Sequence, residues 1–318
     1  MISPLLSARL HCLRWVAAAL VVASHLKPLL FVDHADLRER GLLIDCFYLL
    51  TGLGHEAVIV FFVMSGLLVG GLSLERHRAQ RFVPEEFLIQ RFSRIYIVLA
   101  PALLAGFFWD QIGLMHFNAA GLYTESPKFR MDGVAAHQLS WRLLLENGLM
   151  LQHIAVPVFG SNGALWSISY EWWCYLLFFF CFIFIAGCRR HDPRFHYGAI
   201  ACLLLLLLPP AVLRYFCIWL IGLAVLGAPL RRLRCHPLPA YGLLLAVLLC
   251  SRLSHDNLQP VFGLQRELVC DLAIAGACFL LFSALNQCNR RRGPAMACTR
   301  RWRIFHTPPT WCICRSCC

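Results

Sequence analysis

Charge is what this chain of 318 residues has least of. Asp, Glu, Lys and Arg make up 14% of it, against about a quarter in an ordinary soluble domain. That leaves too little polar side chain to cover a water-facing surface, which excludes a soluble globular protein. Lysine is scarcer still: Lys27 and Lys128 are the only two, and every other basic residue of that class is Arg. Acidic residues number 17 against 29 Lys and Arg, a formal net charge of +12. In so apolar a chain, positive excess sets orientation and meets anionic headgroups, so no nucleic-acid partner is expected. There is no G-x-S-x-G elbow, no H-E-x-x-H and no Walker loop, so the chemistries those motifs serve have no sequence support. No internal repeat is visible. The first apolar run carries His25 and Lys27 and has no clear small-residue cleavage site, so it is expected to be retained as a first span.

What is present is hydrophobic: 59% of the residues, with a mean hydropathy of +0.64. Long apolar runs in lipid must satisfy their own backbone, which helices do. The expected fold class is an all-α polytopic membrane protein. The 17 cysteines do not read as a disulfide set. Cys174, Cys181, Cys202, Cys217, Cys250 and Cys278 stand singly in apolar runs, where Cys behaves as a small hydrophobe.

A span takes about 20 apolar residues. Candidates are 10–31, 44–74, 95–114, 165–187, 197–208, 211–226, 238–250 and 268–285, the sixth separated from the fifth by Pro209-Pro210. The stretch 143–158 is short and carries Glu146, Asn147, Gln152 and His153, so it is not expected to cross. Basic runs at 76–81, 189–194, 231–234 and 290–292 then fall on the side of the N-terminus. The positive-inside rule makes that side cytoplasmic and gives about eight transmembrane helices. Residues 110–164 lie outside, with a partly apolar piece suited to re-entering the membrane or lying at its interface and lining a cavity.

Several polar residues sit where lipid should be. Glu171 lies in the longest apolar run, in NGALWSISYEWWCY at 162–175. Ser167, Glu171 and Tyr175 are spaced by four and share a helical face. Arg14 and His25 share a face of the first span, three turns plus about 20° apart and separated by about 16 Å along the axis. Arg14 reads equally as a snorkelling anchor, and His25 as a residue of the far interface. Arg91 and Arg94, one turn apart in QRFSR, read as a positive-inside pair or as a fork for phosphate. In FFVMSG at 61–66, Ser65-Gly66 reads first as close helix packing, with Ser65 able to donate a hydrogen bond.

Together these pieces resemble one family, the membrane-bound acyltransferase 3 proteins, which O-acylate cell-surface glycans such as O-antigen and exopolysaccharide. Arg14 and His25 match its Arg-x10-His. FFVMSG resembles its FFVLSG, and RFSR at 91–94 its Arg-x-x-Arg. NGALWSISYEWWCYL at 162–176 resembles its NGPLWSLSVEEQFYL, with Trp166, Ser167, Glu171 and Tyr175 in place. The ordered set covers roughly residues 8–187. The family's Asp-Gly before the arginine is His11-Cys12 here.

The resemblance implies a ten-helix bundle, of which about eight helices are present, in a bacterial inner membrane with the N-terminus cytoplasmic. It implies acyl-CoA, in particular acetyl-CoA, as a donor substrate, with no bound cofactor and no metal. The acceptor would be a hydroxyl of a carbohydrate or lipid-linked glycan on the outer side. Arg14, Arg91 and Arg94 would hold the donor, and His25 would be catalytic. An imidazole can take a hydroxyl's proton as it attacks a thioester, and Glu171 could orient or stabilise that imidazole. Two rivals stand beside this. One is a proton- or anion-coupled transporter with Arg14, His25 and Glu171 as its relay, although the repeat symmetry common in transporters is not found. The other is an inactive, truncated family member.

Residues 1–288 are taken as the transmembrane domain and 289–318 as a basic, Cys-rich tail that is not a domain. Four of its last seven residues are Cys (Cys312, Cys314, Cys317, Cys318). A metal or palmitoylation site is one interpretation of that. A shifted reading frame is the other. Joining the third base of each codon to the first two of the next forces valine at Trp311-Cys312 and leucine at Cys317-Cys318. With the degenerate bases filled, 303–318 allows Asp-Ile-Ser-Tyr-Ser-Thr-Tyr-Leu-Val-His-Leu-Pro-Val-Leu-Leu, which resembles the family's ISYSTYLVHLP. A frameshift is therefore expected between about residues 286 and 302. The coding DNA checks this. Restoring one base in that window should open an apolar continuation, and a polar or terminated frame would sink the idea.

Overall fold

The computed structural model describes residues 2–37, 39, 41–118, 138–189, 195–227, 236–254 and 265–291. The basic runs at 190–194 and 231–234 and the tail from 292 onward, on which the expected shift of frame falls, lie outside the described residues. The described chain is helical: α1 Pro4–Leu30, α2 Leu42–Thr51, α3 Gly54–Ser65, a π-helical segment Gly66–Gly71, α4 Leu72–Arg78, α5 Pro84–His116, α6 Trp141–Gly148, α7 Trp166–Arg189, α8 Phe195–Leu207, α9 Pro210–Gly227, α10 Pro237–Ser254 and α11 Arg266–Arg291.

Local chemistry starts these helices where they start. Ser3 caps α1 by accepting from the Leu6 N–H at 3.2 Å, and Pro4 takes the first helical position, where a missing N–H costs nothing. Pro84 opens α5 in the same way, and Glu85 and Glu86 complement the positive end of its dipole.

Among the described residues, six helices are long and apolar enough to cross a membrane: α1, the composite 42–78, α5, 163–189, α10 and 267–288. The apolar α8 and α9 are shorter. Side-chain contacts fix the two sides. Ser3 N–H donates to Asn286 Oδ1 at 2.9 Å, joining the start of α1 to the end of α11, and Arg78 donates to the Leu226 carbonyl at 3.5 Å. This is the near side. On the far side His55 meets Asp271 at 2.8 Å and Arg214 lies 3.8 Å from Glu267. The eight apolar segments thus alternate in direction, as the spacing of apolar runs predicts.

The second span is less regular than its composition suggests. It breaks at Gly52-Leu53 and winds as a π-helix after Ser65. Glycine chemistry accounts for the packing there. A Cβ on Gly66 would overlap the Trp219 carbonyl of α9, one on Gly222 would overlap the Val63 carbonyl, and one on Gly70 would meet the Trp219 ring at 2.5 Å. The α3–π segment and α9 therefore touch backbone to backbone, which is how helices associate where water supplies no driving force. Ile59, Val63, Leu67, Trp219, Ile274 and Phe282 are fully buried along this seam and its neighbour α11. Leu43, Trp15 and Leu206 point outward, as lipid-facing residues do.

The stretch 143–158 does not cross. Its helix, α6, has eight residues, about 12 Å against a core of about 30 Å. It dips into the bundle and turns back through left-handed backbone at Met150 (φ 62°) and His153 (φ 55°). Tyr96, well inside α5, donates to the Gly148 carbonyl at 2.7 Å, which marks the depth reached. This is the re-entrant piece the sequence suggested. It backs α7, however, and does not line either of the cavities described below.

Because the α3–α9 seam has no room for a methyl group, Gly66→Ala is expected to destabilise the bundle by roughly 1–3 kcal/mol. A lower melting temperature of the detergent-solubilised protein checks this, with Gly106→Ala, on open α5 surface, as the neutral control.

Candidate active site

The site is built on the start of α7. A 3-10 turn, Gly163–Leu165, leads into Trp166, and Ser167 Oγ donates back to the Ala164 carbonyl at 3.0 Å. Ser167, Glu171 and Tyr175 then share one face, and all three line a cavity of about 300 Å³. Ser65, at the end of α3, comes to meet them. Its hydroxyl donates to Glu171 Oε1 at 2.8 Å, and Tyr175 donates its own hydroxyl to the same carboxylate oxygen. Ser65 Oγ also lies 3.0 Å from the Tyr175 oxygen and accepts from Trp219 Nε1–H at 3.2 Å. The carboxylate in the apolar run is thus held by two hydroxyls, which is what a charge out of water requires.

A second cavity of about 300 Å³ adjoins the first on the near side, and the two share Arg14, Leu68, Val69 and Arg94. Arg76, Arg91 and His11 complete its basic lining, and no carboxylate among the described residues lines it. Arg91 Cζ sits 5.8 Å from the centre of the Tyr175 ring, a cation–π distance. Arg91 Nε is buried without a hydrogen-bond partner among the described residues. Together the cavities form a path from a guanidinium-lined near-side chamber to the Ser65–Glu171–Tyr175 group.

The other sequence candidates fall as follows. Arg14 and Arg94 line both cavities, and Arg91 lines the near one. Trp166 packs edge-on to Tyr170 and Tyr215 and lines neither cavity. His25 is exposed and its Nδ1 lies 3.5 Å from Ser24 Oγ. Among the described residues no hydrogen bond joins it to Glu171. It lies four residues beyond Val21, which does line the first cavity.

Three sets of residues were not visible in the sequence as site components. Trp219 looked like one more apolar residue of α9, yet a buried indole N–H needs an acceptor, and that requirement was the available signal. His55, Glu56 and Asp271 form a far-side polar group. Glu56 is 1% exposed and accepts from Ser251 Oγ at 3.0 Å. Their signal was ionisable residues inside apolar spans. The third set is the re-entrant support of α7. The Met150 carbonyl accepts from Ser169 Oγ at 2.6 Å and from Trp173 Nε1 at 2.8 Å. Asp110 accepts from the Ser161 N–H at 2.8 Å and from its hydroxyl at 2.5 Å.

A family model described as an acyltransferase domain matches residues 7–293. The chain belongs to the acyltransferase 3 family. No curated protein matches it, and no solved structure does. As an acyltransferase 3 protein with six long apolar helices it is a multi-pass membrane acyltransferase. All four motifs read from the sequence lie within the matched region. In this acyltransferase Asn147 holds the re-entrant turn closed. Its side chain donates to the carbonyls of Leu143 (2.9 Å) and Pro157 (3.1 Å) and accepts from the Phe159 N–H (2.9 Å).

Asn147→Ala would leave those buried groups unpaired, at about 1–3 kcal/mol. The expected result is earlier thermal unfolding and faster proteolysis at 149–160 than in the parent protein.

Proposed function

We propose that this acyltransferase moves an acyl group, acetyl in the first instance, from cytoplasmic acyl-CoA to a hydroxyl of a cell-surface glycan or similar acceptor. The observation that carries this is the near-side chamber lined by Arg14, Arg76, Arg91 and Arg94, without a carboxylate among the described residues, which shares a wall with the cavity that holds Ser65, Glu171 and Tyr175. Guanidinium groups suit the multi-point binding of phosphates, and a coenzyme A carries several. In this proposal the near side faces the cytoplasm of a bacterial inner membrane and the donor's thioester end reaches along the shared wall toward Ser65.

His25 serves as the general base toward the acceptor hydroxyl. Its support is position: Arg14 and Val21, on the same stripe of α1, line the first cavity, and His25 follows one turn further toward the far side. Glu171 is a second proton-handling group, in the first cavity, and Ser167 and Tyr175 line that cavity beside it; Trp166 packs behind them at the start of α7. A transporter has no specific observation in its favour. Residues 1–288 are proposed as the acyl-transfer domain and the tail from 289 as out of frame; the family match stops at residue 293.

Expression of the chain, and of its frame-restored form, in a strain lacking the activity tests the proposal through the mass of the surface glycan. His25→Ala should lower transfer roughly 100- to 10,000-fold. Arg94→Ala should raise the KM for acyl-CoA roughly tenfold or more, as loss of a charge-assisted contact does. No acyl gain on the glycan with either parent form would refute it.

A further inference from the structure

We infer that Ser65 is a covalent way-station: it takes the acyl group from the donor before the acceptor receives it. This rests on the acyltransferase function proposed above and adds a step to it. The geometry is that of an activated nucleophile, with a hydroxyl in hydrogen-bond reach of a base that a third group orients. Ser65 Oγ–H points at Glu171 Oε1 at 2.8 Å, and Tyr175 holds the same oxygen from the other side. Trp219 Nε1–H, 3.2 Å from Ser65 Oγ, is a fixed donor beside the attacking oxygen. Ser65 also lines the cavity that Arg14 and Arg94 connect to the near-side chamber.

Two further observations favour Ser65. It ends a regular α-helix at the start of a π-helical segment, a geometry frequent at functional sites. It is also at mid-depth: ten residues after His55 on the far side and eleven before Arg76 on the near side, about 15 and 16 Å along the helix. A donor from one side and an acceptor from the other need not then meet in one complex. The packing explanation accounts for Gly66, whose neighbour is the α9 backbone. It does not account for a hydroxyl aimed at a carboxylate in a cavity.

The chemistry balances without a further reactant. In the first half, Ser65 Oγ attacks the thioester carbonyl and Glu171 takes its proton. The C–S bond breaks, and Glu171 returns the proton to the leaving thiolate, giving acyl-Ser65 and free coenzyme A thiol. In the second half, the acceptor oxygen attacks the ester carbonyl as His25 takes the acceptor's proton. The C–O bond to Ser65 breaks, the Ser65 oxygen takes a proton that Glu171 relays from water, and His25 returns the acceptor's proton to water, so that both groups end as they began.

The test is acceptor-free incubation of the purified full chain, and of its frame-restored form, with acetyl-CoA, read by peptide mass. The expected result is one acetyl group on the peptide holding Ser65, with a matching burst of coenzyme A release. Adding acceptor should discharge it. Ser65→Ala should abolish both the label and the burst and lower glycan transfer at least 100-fold. Ser65→Cys checks folding and should carry the acetyl as a thioester that hydroxylamine cleaves at neutral pH. Glu171→Gln should slow acylation of Ser65 at least tenfold. Glycan transfer by Ser65→Ala at the parent rate overturns the way-station and leaves the acyltransferase standing. So does a parent protein that modifies glycan without ever carrying acetyl at Ser65. A parent protein that neither modifies glycan nor becomes labelled overturns the proposed function and the Ser65 step with it.

Discussion

A carboxylate inside a lipid-spanning helix has to be satisfied by its own protein, and much of this bundle's arrangement follows from how Glu171 is satisfied. The span around it is apolar, so a charge left unpaired there would cost several kcal/mol or more. Its Oε1 takes hydrogen bonds from Ser65 and Tyr175. Tyr175 comes free with the helix, being one turn along α7. Ser65 is 106 residues away in the chain, and only a specific approach of α3 to α7 delivers it.

That approach is held from behind. Gly66, Gly70 and Gly222 let α9 lie against the α3–π segment at backbone distance, and this brings Trp219 to the Ser65 hydroxyl. On α7's other flank, the re-entrant turn offers the Met150 carbonyl to Ser169 and Trp173. Ser65 and Glu171 are thus each set on a rigid element with its own supporting hydrogen bonds, the arrangement a preorganised site needs. The far-side group of His55, Asp271, Glu56 and Ser251 ties α3 to α10 and α11, closing the bundle at the end opposite the guanidinium chamber.

The two ends differ in charge for a reason seated in both function and topology. The near side carries Arg14, Arg76, Arg91 and Arg94 around a cavity that no carboxylate among the described residues lines. On the far side acids stand beside basic side chains in two places, Asp271 at His55 and Glu267 at Arg214. Arginines at helix ends can be orientation signals alone. Under the function proposed above, those facing a shared chamber would also hold the donor.

The membrane class, the eight alternating apolar segments and the common face of Ser167, Glu171 and Tyr175 were determined by the sequence itself. These depend on run length and on the 3.6-residue period, which are local quantities. The motifs, in order, also carried the family. What Glu171 faces was decided only by the tertiary structure. The sequence suggested His25 as its partner, whereas the hydrogen bonds go to Ser65 and Tyr175, with Trp219 behind them. The π segment, the re-entrant turn on Asn147 and the His55–Asp271 pair were likewise settled by packing. Pairings between residues a hundred or more positions apart leave no periodic trace. They exist because buried polar groups in lipid must find one another once apolar faces have fixed the helices.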